Sequence, residues 1–460
     1  MENFYKQNSI IIKFANIVFI LVIIISHTLI FYAIYKIFYP PENITITFYK
    51  IVILFSFSTI ALLIIGLLKF SNHLKVNLSL LFCSIGITLY ILEVSLFIFS
   101  QKKLIAWYSE IDYDTRSKIE VLDDLIQIGK EAYPNIVPSK FRNLNGLDSI
   151  YPLGTISNST TILDNEAGYY PIIETDEHGF NNPKGLYIPN NVDIILTGDS
   201  FTEGYSVHPD ETISAVLRKL KFNTISIGKG GNGPLLELAA LKEYAEPVKP
   251  RIILWLYFYN DFENLAGEIE SSILKQYLDE NNYSQTLILR QKEIDHVLRN
   301  YAQTEWERQK NLENENWNSK IHKILILTEI RSIVYSIYDK SNQSEYSSIK
   351  PVFKDILKKS KQIVSKWDGK IYFVYLPSFE RYAKNKKDLF REYVMRTVEE
   401  LDIAIIDIEK EIFDIHSDPL SLFPFKIEGH YNADGYELIA NKIAKRLKED
   451  NYIPIKLNNE

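Results

Sequence analysis

Residues 192–205 read VDIILTGDSFTEGY, and the fold follows from how this stretch is parsed. Val192, Ile194, Ile195 and Leu196 form a short apolar run rich in β-branched residues, the pattern of a buried strand. Thr197-Gly198-Asp199-Ser200 breaks the run. A helical pattern follows, with Asp210 as its expected N-cap before Thr212-Ile213-Ser214-Ala215-Val216-Leu217. Ser200 is thus expected just past the carboxyl end of a strand, where open α/β sheets place their ligand crevices. Gly198 allows the tight turn that presents the serine hydroxyl.

The same alternation repeats downstream. Candidate strands are Val192–Thr197, Asn223–Ile227, Arg251–Phe258, Lys370–Leu376 and Asp402–Ile408. Helical patterns follow at Thr212–Leu220, Pro234–Ala245, Leu389–Leu401 and Asp434–Lys448. Strands alternating with helices imply βαβ units and a parallel sheet. The expected fold class is α/β, a flavodoxin-like three-layer sandwich with a five-stranded parallel sheet. The last helix is expected to pack on the sheet through Leu438, Ile439, Ile443, Ala444 and Leu447. A charged insertion at about 262–369 separates the third and fourth strands. Leu287, Leu289, Ile294 and Leu298 form one amphipathic segment in it. Ile321, Ile324, Leu325, Ile330, Ile333, Val334 and Ile337 form another. The insertion reads either as a helical lid or partner surface, or as a packing embellishment.

Three apolar runs precede this region, between Lys13 and Lys36, Lys50 and Lys69, and Lys75 and Lys102. Each is about 18 to 26 residues, enough to cross ~30 Å of hydrocarbon as a helix. A signal peptide fits the first run poorly, because no small-residue cleavage site follows it before Pro40-Pro41. Residues 1–103 are therefore read as a three-helix transmembrane anchor. Lysines near the helix ends tie between the two faces, so they set no orientation. Glu93 lies inside the third run, where an ionisable group is a functional candidate unless it sits near a helix end or pairs within the bundle. His27 in the first run reads as a packed or interfacial histidine. Residues 104–190 read as a connector and small pre-domain of short strands and turns, either one wall of the cleft or a structured linker. His178 there reads as a turn residue beside Asp176 and Glu177. Residues 191–455 form the expected catalytic domain.

The net charge is −7, with acids and bases interspersed. That gives no basic footprint for nucleic acid. The single cysteine, Cys83, excludes an intrachain disulfide and a cysteine-based metal site. No metal-ligand spacing occurs, so no metal and no cofactor are expected.

Four blocks of this sequence resemble those of the SGNH/GDSL hydrolase family. Gly198-Asp199-Ser200-Phe201 is similar to the nucleophile block and Gly230-Gly231-Asn232-Gly233 to the glycine block. Tyr259-Asn260-Asp261 is similar to the asparagine block. Gly429-His430-Tyr431-Asn432-Ala433-Asp434-Gly435 is similar to the histidine block. They occur in the family's order across roughly residues 190–450. The resemblance implies Ser200 as nucleophile and His430 as base. It implies an oxyanion hole from the Ser200 N–H, the Gly231 N–H and the Asn260 amide, with Gly228, Gly230 and Gly233 as neighbouring alternatives to Gly231.

Two positions depart from the family pattern. Tyr259 stands where glycine is usual, and either narrows the site or faces the core. Ile427 stands where an orienting Asp is often found, three residues before the histidine. Glu428 is then the nearest carboxylate in sequence, giving a triad Ser200-His430-Glu428. The alternative is a dyad held by a backbone carbonyl. Asp199 is expected to bond the nucleophile turn.

Together with the three apolar runs, the resemblance implies a membrane-tethered serine esterase acting on an acyl ester, acetyl among the candidates, of an envelope glycan or lipid. An O-acyltransferase using the same serine and histidine is the first alternative, and would need an envelope-biosynthesis partner protein. A non-catalytic assembly or binding protein is the second. The resemblance favours an exported catalytic domain, so the expected place is the bacterial inner membrane with that domain on the periplasmic or extracellular side.

Overall fold

A computed structural model describes residues 2–39, 46–99, 113–144, 150–313, 322–339 and 348–454. The Pro40-Pro41 pair, the end of the third apolar run at Lys102, the start of the connector at Leu104, and Ile321 lie outside the described residues. The described residues fall into two compact units. One lies within 1–108 and 315–344, the other within 109–314 and 345–460.

The first unit contains α1 (Glu2–Phe38), α2 (Ile46–Lys69) and α3 (Asn72–Phe99). All three are long and apolar enough to cross a membrane, over Ser9–Phe38, Phe48–Lys69 and Asn72–Ile98. They pack through small contacts: Ser79 Oγ donates to the Ala15 carbonyl at 3.1 Å, and Phe19 meets Phe82 edge-on. Outward they present Phe31, Phe55 and Leu68, each more than 70% exposed. Water would penalise so continuous an apolar surface, whereas acyl chains do not. His27 Nδ1 lies 2.9 Å from the Ile23 carbonyl of its own helix.

The second unit is built on five parallel strands: β4 (Ile194–Thr197), β5 (Thr224–Ser226), β6 (Ile252–Tyr257), β7 (Lys370–Tyr375) and β8 (Ala404–Asp407). Their order is β5-β4-β6-β7-β8, the flavodoxin-like arrangement expected from the sequence. Period-two alternation sorts the strand side chains between two cores. Ile195, Ile253, Trp255 and Phe373 join one, and Ile194, Leu196, Leu254 and Val374 the other. Helices Pro234–Ala240, Ile349–Ser365 and Arg391–Glu400 cover the first face; Ile213–Lys219 and Ala433–Glu449 cover the second. Each large aliphatic buried here contributes about 1.5–3 kcal/mol, so both faces must be covered for so short a sheet to persist.

Some local expectations change. The helix that follows the Gly198–Ser200 turn and its short helix is capped by Thr212, whose hydroxyl accepts from the Ala215 N–H, and not by Asp210. Asp210 is exposed beside Lys219. In the last helix Ile439, Ile443, Ala444 and Leu447 are buried, but Leu438 is 38% exposed because it falls off that stripe. The 262–369 insertion is divided. Residues 315–344 group with the apolar helices, while Leu287, Ile294 and Leu298 join the core of the sheet unit. Leu289 points outward.

Residues 113–190 belong to the same unit as the parallel sheet. They contribute β1 (Ala132–Pro134), β2 (Thr160–Ile162) and β3 (Ile172–Glu174), a small mixed sheet in that order. Asn182 ties this layer to β5, accepting from the Ser226 N–H and donating to its carbonyl, both at 2.8 Å. His178 sits in the turn organised by Asp176, its N–H bonded to that carboxylate at 2.8 Å.

Candidate active site

β4 delivers Ser200 to the carboxyl edge of the sheet. A Cβ on Gly198 would come within 2.2 Å of Thr202 Oγ1 and 2.8 Å of the Leu256 carbonyl, so only glycine fits where β4 turns against β6. Asp199 then caps the short helix Ser200–Glu203 by accepting from the Phe201 N–H, the turn-bonding place expected for it. Burial pushes the Asp199 carboxyl up to about 6.

His430 arrives from the loop before helix Ala433–Glu449. Asn432 fixes that loop by accepting from the Gly435 N–H at 3.0 Å, and the buried Tyr431 hydroxyl donates to the Pro377 carbonyl. The imidazole packs between Phe201 and Tyr205, with ring centroids 4.6 Å and 4.9 Å away. Its Nε2 lies 2.7 Å from Ser200 Oγ.

The partner of the other ring nitrogen is Glu166, in the loop between β2 and β3. Glu166 Oε2 lies 2.8 Å from His430 Nδ1 and accepts from the His430 N–H at 3.0 Å and the Ser206 hydroxyl at 2.6 Å. Gly429 leaves room for it, since a Cβ there would sit 2.9 Å from the same oxygen. The loop is stapled down. Asn165 donates to the Asp114 carbonyl at 3.0 Å and accepts from the Gly168 N–H at 2.9 Å. Burial opposes charge on Glu166, but the hydrogen bond and charge of His430 outweigh it and hold the carboxyl down at about 2.

Glu428 lies elsewhere. Its carboxylate is 58% exposed and faces Lys384 at 3.3 Å. Backbone direction accounts for this: Glu428 is an exposed position, while His430 two residues on turns inward. The carboxylate that meets His430 therefore comes from the pre-domain. In sequence Glu166 is one acid in a turn-rich run, and no spacing marks it.

The three candidate oxyanion donors sit on neighbouring strand ends. β4 pairs with β5 on one side and β6 on the other. Ser200 follows β4, Gly231 follows β5 and Asn260 follows β6. The Gly230 N–H is bonded to Glu203 Oε2 at 2.7 Å, which leaves Gly231, at φ +70°, as the next donor along. Arg142 holds the Gly231 carbonyl at 2.6 Å. Asn260 Oδ1 is buried with no hydrogen-bond partner among the described residues. Tyr259 is half-buried against Phe258 with Lys386 over its ring. Behind the glycine loop a buried ion pair joins Glu203 to Lys229, both 1% exposed, and Asn135 accepts from Lys229 at 2.8 Å. It binds helix Ser200–Glu203 to the loop carrying Gly230 and Gly231.

This arrangement can activate a hydroxyl. A carboxylate on Nδ1 selects the tautomer whose Nε2 takes the serine proton. Among the described residues no group of three or more His, Cys, Asp or Glu is placed to hold a metal ion.

The chain is similar to solved hydrolases of the GDSL lipolytic type. A lipase/acylhydrolase from Enterococcus faecalis matches at 12% identity and TM-score 0.32, over 58% of this chain and 100% of its own. An acetyl xylan esterase matches at 11% identity and TM-score 0.32, over 56% of this chain and 100% of its own. A psychrotrophic esterase from a Pseudoalteromonas species matches at 11% identity and TM-score 0.29, over 56% and 98%. No family model matches the sequence, and no curated protein matches it. The chemistry of the site rests on its own geometry.

Proposed function

We propose that this protein is a membrane-tethered serine esterase of the SGNH/GDSL type, cleaving an acyl ester, acetyl among the candidates, from an envelope glycan or lipid. The observation that carries the reading is the continuous chain Ser200–His430–Glu166, with contacts of 2.7 Å and 2.8 Å. Ser200 Oγ attacks the acyl carbonyl carbon while His430 Nε2 takes its proton and Glu166 balances the imidazolium. The Ser200 and Gly231 N–H groups and the Asn260 amide hold the developing oxyanion. Collapse breaks the bond to the alcohol, which leaves with the proton from Nε2. Water then attacks the acyl-serine, giving its proton to His430, and the acid departs as Ser200 re-forms.

The three apolar helices support a tether, and a tether suits a substrate held at the envelope. In this reading the sheet unit lies on the periplasmic or extracellular side of a bacterial inner membrane. Reporter fusions at Gln101 and after the C-terminus should both read as exported; cytoplasmic readings at both would reject that side.

The test of activity is turnover of an aryl acetate by the detergent-solubilised full chain, with Ser200→Ala as control. Turnover that survives in Ser200→Ala would reject the reading. Adding an oligosaccharide separates hydrolysis from transfer. A transferase would put the acyl group on the sugar, while an esterase releases the free acid at an unchanged rate.

A further inference from the structure

Helix Thr328–Asp339 lies in sequence inside the β6–β7 crossover, yet it belongs to the compact unit of α1–α3. Its first turn is held by Glu93 of α3. One carboxylate oxygen accepts from the Glu329 N–H and the other from the Ile330 N–H, both at 2.9 Å. Tyr90, about one turn earlier on α3, donates to the Leu325 carbonyl at 3.1 Å. The Arg331 guanidinium lies over the Tyr32 ring of α1 at 5.9 Å. Glu93 is 1% exposed although it falls inside the apolar span Asn72–Ile98. A carboxylate at that level is costly unless paired, and here a helix N-terminus supplies two N–H donors and the positive end of its dipole. This contact accounts for the one acid in the third apolar run.

The outer side of the same segment is apolar. Leu325 is 58% exposed, Ile326 40%, Ile333 45% and Val334 44%. In water such a patch would be a liability. The clamp sets its level along α3. Glu93 lies five residues before Ile98, the end of the span, and so about 7.5 Å inside it at the helical rise per residue. With α1–α3 spanning a bilayer, that level on α3 falls near the boundary of headgroups and acyl chains, where amphipathic segments lie.

We propose that residues 322–339 are a fourth membrane element. They form an amphipathic segment lying in the leaflet at the C-terminal end of α3, with its apolar side in the acyl chains and its N-terminal turn clamped by Glu93. The inference rests on α1–α3 spanning a bilayer. Its consequence is a second tether: the crossover that leaves β6, whose end carries Asn260, returns to the membrane before β7 begins.

The test uses the full-length protein with Cys83→Ala in nanodiscs of phosphatidylethanolamine and phosphatidylglycerol. Single nitroxides are placed through Leu325→Cys and Val334→Cys. References are Leu80→Cys on α3 and Lys445→Cys on the exposed side of the last helix. Collision with oxygen, which concentrates in hydrocarbon, is compared with collision with a water-soluble nickel chelate. Positions 325 and 334 should behave like Leu80→Cys, open to oxygen and closed to nickel, with Lys445→Cys the reverse. Nickel access at 325 and 334 with Leu80→Cys still closed would overturn the inference and leave the three spans standing. Nickel access at Leu80→Cys as well would overturn the spans and the inference together. Adding Glu93→Ala should open position 334 to nickel. If 334 stays closed, Glu93 is not the clamp.

Discussion

The carboxylate of Glu166 meets Nδ1 of His430 at 2.8 Å, across 264 positions of sequence. The same oxygen accepts from the His430 N–H and from Ser206. Backbone and side chain of the histidine are therefore held at one point, which fixes both the plane of the ring and its tautomer.

Glu166→Gln should lower kcat by about 10² to 10⁴, the loss seen when the group orienting a catalytic histidine is neutralised. Glu428→Gln should act as a surface change, within ~0.5 kcal/mol on stability and nearly silent on rate. Aryl-acetate kinetics on the two variants check this. A large loss in Glu428→Gln with a normal Glu166→Gln enzyme would reverse the assignment.

Ser200 should be the single site of labelling by a fluorophosphonate probe, because its hydroxyl has Nε2 of His430 at 2.7 Å to take its proton. Ser200→Ala should abolish the labelled band on a gel. His430→Ala should weaken it strongly, since the free serine hydroxyl is a poor nucleophile without its base.

The Glu166 carboxyl sits at about 2, against an ordinary value of 4.5. As pH falls, the unfolded chain takes up this proton first. The stabilisation from the ionised form is thus whole above 4.5 and lost as pH drops from 4.5 toward 2. The melting-temperature gap between the wild-type protein and Glu166→Gln should be widest near neutral pH and close through that window. A gap that stays constant with pH would show that the carboxylate is not held in the folded state.

Lys229→Met should destabilise the sheet unit by about 3–5 kcal/mol, because it leaves Glu203 buried without its cation. It should also lower kcat, since Glu203 holds the Gly230 N–H at 2.7 Å, next to the candidate oxyanion donor. Thermal unfolding followed by aryl-acetate kinetics separates the two effects. A variant of normal stability would mean that the pair is hydrated rather than buried.

The local parts of this protein are legible along the chain. Strand period and turn chemistry place Ser200 after β4, Asn260 after β6 and His430 before the last helix, because each depends on a few adjacent residues. Apolar length alone picks out α1–α3. The groups that complete these parts depend on tertiary packing. Thr212 takes the cap expected of Asp210 because the chain enters that helix two residues later. Glu93 looks like an isolated charge in an apolar run until helix Thr328–Asp339 folds back to it from 236 positions away. The choice between Glu428 and Glu166 turns on direction and burial. Proximity in sequence favours Glu428, yet its side chain points to solvent and Lys384. Glu166 reaches the imidazole only because β2 and β3 pair and the Asn165–Asp114 staple turns their loop toward it. A carboxylate's neighbour in space is set by the packing of layers, which no periodicity along the chain encodes.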